Sequence, residues 1–212
     1  MVTYQDKVNA GEPKVLTVEK WNELTRSAKV KNICKAIAGL DPNAEDYAER
    51  KQALKKRLPV IMPHAAAFTG KKRVSAEAIP SGLAMLDVDH VENPRDFLSQ
   101  RTKVKGLSEG EMETFFKANG IVLVAITASG QGLRVIGQRS KVERPEGCQT
   151  ETIEQAQMRM AEALGIQEYD AVTKDLARAS YVVPREYILW MVESELFAER
   201  EFSELAGIAA RT

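Results

Sequence analysis

Ile121-Val122-Leu123-Val124-Ala125-Ile126-Thr127-Ala128-Ser129-Gly130-Gln131-Gly132-Leu133-Arg134-Val135-Ile136-Gly137 is the stretch on which the fold turns. Its opening run is apolar on both faces of an extended chain, as in a strand at the middle of a sheet. Ser129-Gly130-Gln131-Gly132 then supplies residues that tolerate positive φ, and a second apolar run, Leu133 to Gly137, follows at once. Strands this close in sequence leave no room for a crossover helix, so the segment predicts a tight antiparallel hairpin. Alternation on the returning strand puts Arg134 and Ile136 on one face, with Leu133 and Val135 on the other.

Helical patterns surround the hairpin. Thr17 caps a run with Val18, Trp21 and Leu24 on one face, and Val30, Ile33, Ile37 and Leu40 repeat in period before Asp41-Pro42-Asn43. Asn43 opens a helix to about Arg57, with Tyr47 and Leu54 inward and Arg50, Lys51, Lys55, Lys56 and Arg57 on its polar side. Asn93-Pro94 and the Ser108-Glu111 capping box start two more, and Glu151 to Leu164 is amphipathic up to Gly165. Leu58 to Pro63 and Tyr181 to Val183 read as short strands. Residues 1–16 read as an irregular arm or edge strand, 138–150 as a polar loop, and Arg185 to about Leu205 as a helical tail. Interleaved helices with hairpin-joined strands predict an α+β fold, a central, mostly antiparallel (mixed) sheet flanked by helices; a doubly wound parallel sheet is the competing class. The expected organisation is one domain over 1–212, with its core at about 30–185 and a helical extension over 186–212.

Composition excludes several functions. The 212 residues carry 30 basic and 30 acidic side chains, so net charge offers no argument for a nucleic-acid partner, which must rest on local patches. No apolar stretch could span a bilayer and the amino terminus lacks a signal-peptide core, which predicts a cytoplasmic protein with no membrane contact. Two cysteines and two histidines, widely separated, exclude a disulfide framework or a structural zinc site, and Cys34 lies on an apolar helical face. There is no Gly-x-x-x-x-Gly-Lys-Ser/Thr loop.

Chemistry concentrates in three stretches. In Leu83-Ala84-Met85-Leu86-Asp87-Val88-Asp89, alternation puts Asp87 and Asp89 on the face of Leu83 and Met85, opposite Ala84, Leu86 and Val88. Neighbouring carboxylates repel unless a cation lies between them, and a hard divalent ion bound through oxygen answers that need. The Ser129 to Arg134 turn offers backbone N–H groups to phosphate oxygens and a guanidinium to triphosphate charge. Asp170 to Arg178 adds a third acid and a second arginine. Each stretch also has a plain structural reading: a hydrated strand end, a hairpin turn with Arg134 as an edge guard, and a helix cap followed by an Asp175–Arg178 ion pair.

The order of these elements resembles the archaeo-eukaryotic primase (primase-polymerase) superfamily: an Asp-x-Asp strand, a Ser-Gly-x-Gly-x-His-type hairpin, then an acid and an arginine before a strand. Here these are Asp87-Val88-Asp89, Ser129-Gly130-Gln131-Gly132-Leu133-Arg134, and Asp170 with Arg178. The nearest resemblance is to the branch named for the VirE amino-terminal or BT4734-like domain, which also shows a lysine-rich helix leading to Leu-Pro, similar to Leu54-Lys55-Lys56-Arg57-Leu58-Pro59, and then a segment like Phe68-Thr69-Gly70. The resemblance implies an RRM-like primase-polymerase core and a template-directed nucleotidyltransferase of phage or mobile-element replication. In that reading Asp87, Asp89 and Asp170 hold two Mg²⁺ or Mn²⁺ ions, with Asp175 the other choice for the third acid. Ser129, Gly130, Gly132, Arg134 and Arg178 would position a nucleoside triphosphate on a single-stranded DNA template. Basic segments around Lys55, Lys71 and Arg101 would contact the template, with a helicase as neighbour. Arg134 stands where the superfamily most often has histidine, keeping a positive charge without a transferable proton. A non-catalytic nucleotide- or nucleic-acid-binding module accompanying a helicase is the alternative.

Overall fold

A computed structural model of the chain describes residues 1–8, 11–100, 104–144, 147–170 and 174–199. In chain order its strands are β1 (Thr3–Gln5), β2 (Lys14–Val15), β3 (Val60–Met62), β4 (Ala65–Phe68), β5 (Ala78–Pro80), β6 (Leu83–Asp89), β7 (Ile121–Ile126), β8 (Gly132–Gln138), β9 (Lys141–Arg144), β10 (Gly147–Thr150), β11 (Ser180–Tyr181) and β12 (Ile188–Met191). The α-helices are α1 (Val18–Thr25), α2 (Ala28–Ala38), α3 (Tyr47–Lys55), α4 (Pro94–Ser99), α5 (Glu109–Ala118), α6 (Ile153–Leu164) and α7 (Glu193–Phe197). The fold is α+β, with antiparallel pairing throughout the described sheets.

The hairpin forms as its sequence predicts: β7 and β8 pair antiparallel at the centre of a four-stranded sheet ordered β12-β7-β8-β6. A second four-stranded sheet runs β11-β3-β1-β2. Alternation on β6 divides its side chains as expected. Leu83 and Met85 join a core with Ile136, Trp21, Ile33, Ile37 and Ile61, so α1, α2 and the second sheet lie on that side. Ala84, Leu86 and Val88 join Val135, Phe116 and Met160 on the other, beneath α5 and α6. Cys34 is buried in the first of these cores, and burial, with the charge of Glu186, pushes its thiol up to about 12, the behaviour of a packing residue.

Several expectations are corrected. The tail expected to be helical is so only in part: a 3₁₀ turn, Arg185–Tyr187, leads into β12, which pairs with the outer edge of β7, and an α-helix, α7, covers only Glu193–Phe197. Ile188-Leu189-Trp190-Met191 has no polar face to give a helix, whereas β7 has a bare edge to cover. Residues 200–212 of the expected extension lie outside the described residues. The polar stretch 138–150 contains the β9–β10 hairpin rather than a loop. Ala65–Phe68, where no strand was expected, pairs with β5. The amino-terminal arm supplies the expected edge strand, β2, but also an interior strand, β1, lying between β3 and β2, whose buried Thr3 and Gln5 donate to the carbonyls of Ala65 and Gly11. No helix among the described residues is long and apolar enough to cross a membrane.

The free edge of β6 is closed by groups from three other segments. The Met85 N–H donates to His64 Nε2 at 2.9 Å, the Met85 carbonyl accepts from Gln157 at 2.8 Å, and the Asp87 carbonyl accepts from the Asp170 N–H at 2.9 Å. His64 is buried, and its Nδ1 donates to the Asp175 carbonyl at 2.9 Å, so the ring is neutral and its tautomer fixed. Burial lowers the His64 pKa, although the bond to Asp175 works the other way. The unfolded chain therefore binds a proton that the folded chain refuses, and stability falls as pH drops below the ordinary histidine value of about 6.5. One such proton contributes a slope of at most about 1.4 kcal/mol per pH unit. Urea midpoints at pH 7.5, 6.5 and 5.5 are expected to decline more steeply in the wild type than in His64→Gln, whose amide does not titrate.

Candidate functional site

The period-two alternation that packs Met85 against Ile136 brings the next pair out of the core. Asp87 lies directly opposite Arg134 in the β6–β8 ladder, and Asp89 opposite Gly132. Asp87 and Arg134 are 8% and 9% exposed. Arg134 donates from Nε to Asp87 Oδ1 at 2.7 Å, from Nη2 to Oδ2 at 2.8 Å, and from Nη1 to the Ser180 hydroxyl on β11. Burial penalises the guanidinium charge, but Asp87 above all, with Asp89 and Tyr181, more than offsets this, and the Arg134 pKa is raised. Asp89, by contrast, is exposed at the end of β6, and His90 just beyond it turns the chain with φ of 57°.

The Asp170 N–H bond to the Asp87 carbonyl sets the third acid beside the first two, and Arg178 Nη2 lies 3.5 Å from Asp170 Oδ2. Asp175 is elsewhere: its carboxylate accepts the Ala177 N–H at 2.9 Å. Asp87, Asp89, Ser129, Arg134, Asp170 and Arg178 all line one cavity of about 370 Å³. Four further side chains join them: Lys55, which the sequence marked only as a template contact, and Arg73, Thr127 and Tyr181, which it did not single out.

Gly130 and Gly132 do not line this cavity, and two N–H groups at the turn are spent holding it together. The Gly130 N–H, at φ of 75°, donates to the Thr127 carbonyl, and the Thr127 N–H donates to the Gly132 carbonyl, both at 2.9 Å. Gly132 is required by crowding instead, since a Cβ there would lie 2.8 Å from both the Val88 carbonyl oxygen and Thr127 Oγ1. Gly132→Ala is expected to lose about 1–3 kcal/mol in urea denaturation, because the Val88 backbone cannot move aside cheaply.

Lys55, expected as an outward template contact, ends α3 against the cavity. Its Nζ lies 5.7 Å from the centre of the Tyr181 ring, and burial, reinforced by nearby Lys51, lowers its pKa. Arg73 reaches the same wall from the β4–β5 connection, with Nη1 donating to the Ala177 carbonyl at 2.7 Å. No sequence signal marked either residue as inward. The basic segment at Arg101 lies outside the described residues.

Four basic and three acidic side chains thus line the cavity, a balance that accepts a polyanion. A larger cavity of about 640 Å³ shares Asp89 but adds Glu92, Asp96 and Glu168 with no lysine or arginine, a lining that repels phosphate. Among the described residues no three acidic, histidine or cysteine side chains converge closely enough to hold a metal ion. Both Asp87 oxygens face Arg134, so a preassembled three-carboxylate centre does not fit. Asp89 and Asp170 do fit the commoner arrangement in which one or two carboxylates share a divalent ion with substrate phosphates.

Compared with known proteins, residues 53–184 match the family model described as BT4734-like, N-terminal domain. Neither a curated protein nor a solved structure matches the chain.

Proposed function

Because the chain belongs to the BT4734-like N-terminal domain family, and because residues from β6, the β7–β8 hairpin and the 170–178 segment meet in one basic-lined cavity, we propose that it is a template-directed nucleotidyltransferase of the primase-polymerase kind. The convergence of these three separate stretches is the observation that carries the reading. Its cavity of about 370 Å³ is within the usual range for a small-molecule site and suits a triphosphate with part of its nucleoside.

In this reading Arg178, Arg73 and Lys55 receive phosphate oxygens, and the Ser129 hydroxyl orients them. Asp89 and Asp170 would hold Mg²⁺ or Mn²⁺, which when bound neutralises phosphate charge and eases deprotonation of the attacking 3′-hydroxyl. Rate enhancement comes from fixing that hydroxyl in line with the α-phosphorus and from charge placed in advance. The exposed Lys71 and Lys72, on the connection between β4 and β5, are positioned to track single-stranded DNA, and a helicase is the natural neighbour.

One observation favours the alternative, a binding module without turnover: Asp87 is neutralised by Arg134. The deciding experiment is Mn²⁺-dependent incorporation of a labelled nucleotide opposite a single-stranded DNA template, with calorimetric titration of ATP in parallel. Incorporation is the expected result. Binding without incorporation selects the module, and neither signal sinks both.

A further inference from the structure

We infer that the Arg134 guanidinium stands in place of one of the two divalent ions that a paired-carboxylate transfer site uses, so that this site takes one metal ion rather than two. The inference rests on the nucleotidyltransferase reading, which supplies the expectation of two ions.

The Asp87–Arg134 contact is not a chance meeting of long surface side chains. The two residues are ladder partners on adjacent strands, and each side chain is 11% exposed. Register alone brings them face to face, in continuation of the Met85–Ile136 pair. Each Asp87 oxygen takes one N–H, and the third contact, to Ser180, ties the guanidinium to a strand of the second sheet. Arg134 thus joins β6, β8 and β11 at the cavity floor, which leaves it little freedom to swing toward a substrate.

Charge completes the argument. An arginine cannot give up its proton near neutrality, so its positive charge is permanent and does not depend on the divalent-ion concentration. With Asp87 neutralised, a metal approaching it would meet a fixed like charge in a buried setting. Asp89, exposed and two residues further along, faces Gly132 in the ladder and feels the Arg134 charge without a hydrogen bond to it, both Asp-directed N–H groups being taken by Asp87. The ion therefore belongs at Asp89, shared with substrate oxygens and with Asp170, whose more exposed partner Arg178, 3.5 Å away, can turn to the phosphates as Arg134 cannot. A histidine at 134, unlike arginine, can give up its proton to an incoming cation and so leave Asp87 open to a second ion.

The test is a titration with Mn²⁺ alone, counting bound ions per chain by the loss of the free-ion paramagnetic resonance signal. Wild type, Asp87→Asn and Arg134→His are compared, with folding checked by circular dichroism. One ion in wild type, the same count in Asp87→Asn, and two in Arg134→His are expected. Two ions in wild type, none in wild type, or one fewer in Asp87→Asn overturns the inference. Should Arg134→His fail to fold, the first two counts decide. Calorimetric titration of wild type with ATP and Mn²⁺ separates this from the parent reading. Absence of nucleotide binding alongside the expected ion counts removes the function and leaves the single-ion site standing.

Discussion

Arg134→Ala is expected to lower the stability of the chain by about 3–5 kcal/mol, the cost of leaving a buried carboxylate without its partner. Asp87 is 8% exposed and would lose two hydrogen bonds, and Ser180, itself buried, would lose the Nη1 donor. The effect separates pairing from simple packing when it is compared with the double replacement Asp87→Leu with Arg134→Leu. Met85 and Ile136 already form the apolar layer next along the ladder, and a leucine pair would extend it. Replacing both members of a buried pair by apolar residues of similar volume is close to neutral, so the double variant should recover most of the loss. Urea denaturation of the three proteins reads this directly. A loss below about 1 kcal/mol in Arg134→Ala would mean that water screens the pair as it does at a surface.

Asp89→Ala is expected to reduce Mn²⁺-dependent nucleotide incorporation by about 10³-fold, equivalent to ~4 kcal/mol of transition-state stabilisation, while leaving the urea midpoint within about 0.5 kcal/mol of wild type. Asp89 is exposed at the strand end, so the fold does not depend on it. Asp87→Ala should reduce both quantities, because it also strands a buried guanidinium. The contrast between neighbouring acids on one face tests the division of labour, Asp89 for the ion and Asp87 for Arg134. Equal loss of stability in both variants would contradict it.

Much of this was legible locally. The hairpin around Ser129-Gly130-Gln131-Gly132, the capping box at Ser108 and the left-handed Gly165 that ends α6 each depend on residues a few positions apart. Six of the eight residues singled out for the site line the cavity; the glycines at 130 and 132 were marked by their sequence for a different reason, the turn they build. Lys55 and Arg73 were not legible as inward, because a lysine on a charged helix and an arginine in a basic turn look alike whether they face water or a pocket wall. The strand Ile188–Met191 was missed because a short apolar run carries no period of its own and is decided by the neighbour that needs covering.

The sequence by itself determined which face of each strand every residue would take, since side-chain alternation is a property of the extended backbone. It put Asp87 and Asp89 on one side of β6, and Arg134 with Ile136 on one side of β8. Only the tertiary structure decided that Arg134 would stand opposite Asp87 and not Asp89, that Asp170 would dock beside them through a backbone bond, and that α3 would bring Lys55 to the same cavity. Register between strands and the seating of a helix end are set by the packing of distant apolar layers. A charge at the edge of those layers inherits whichever partner the packing delivers.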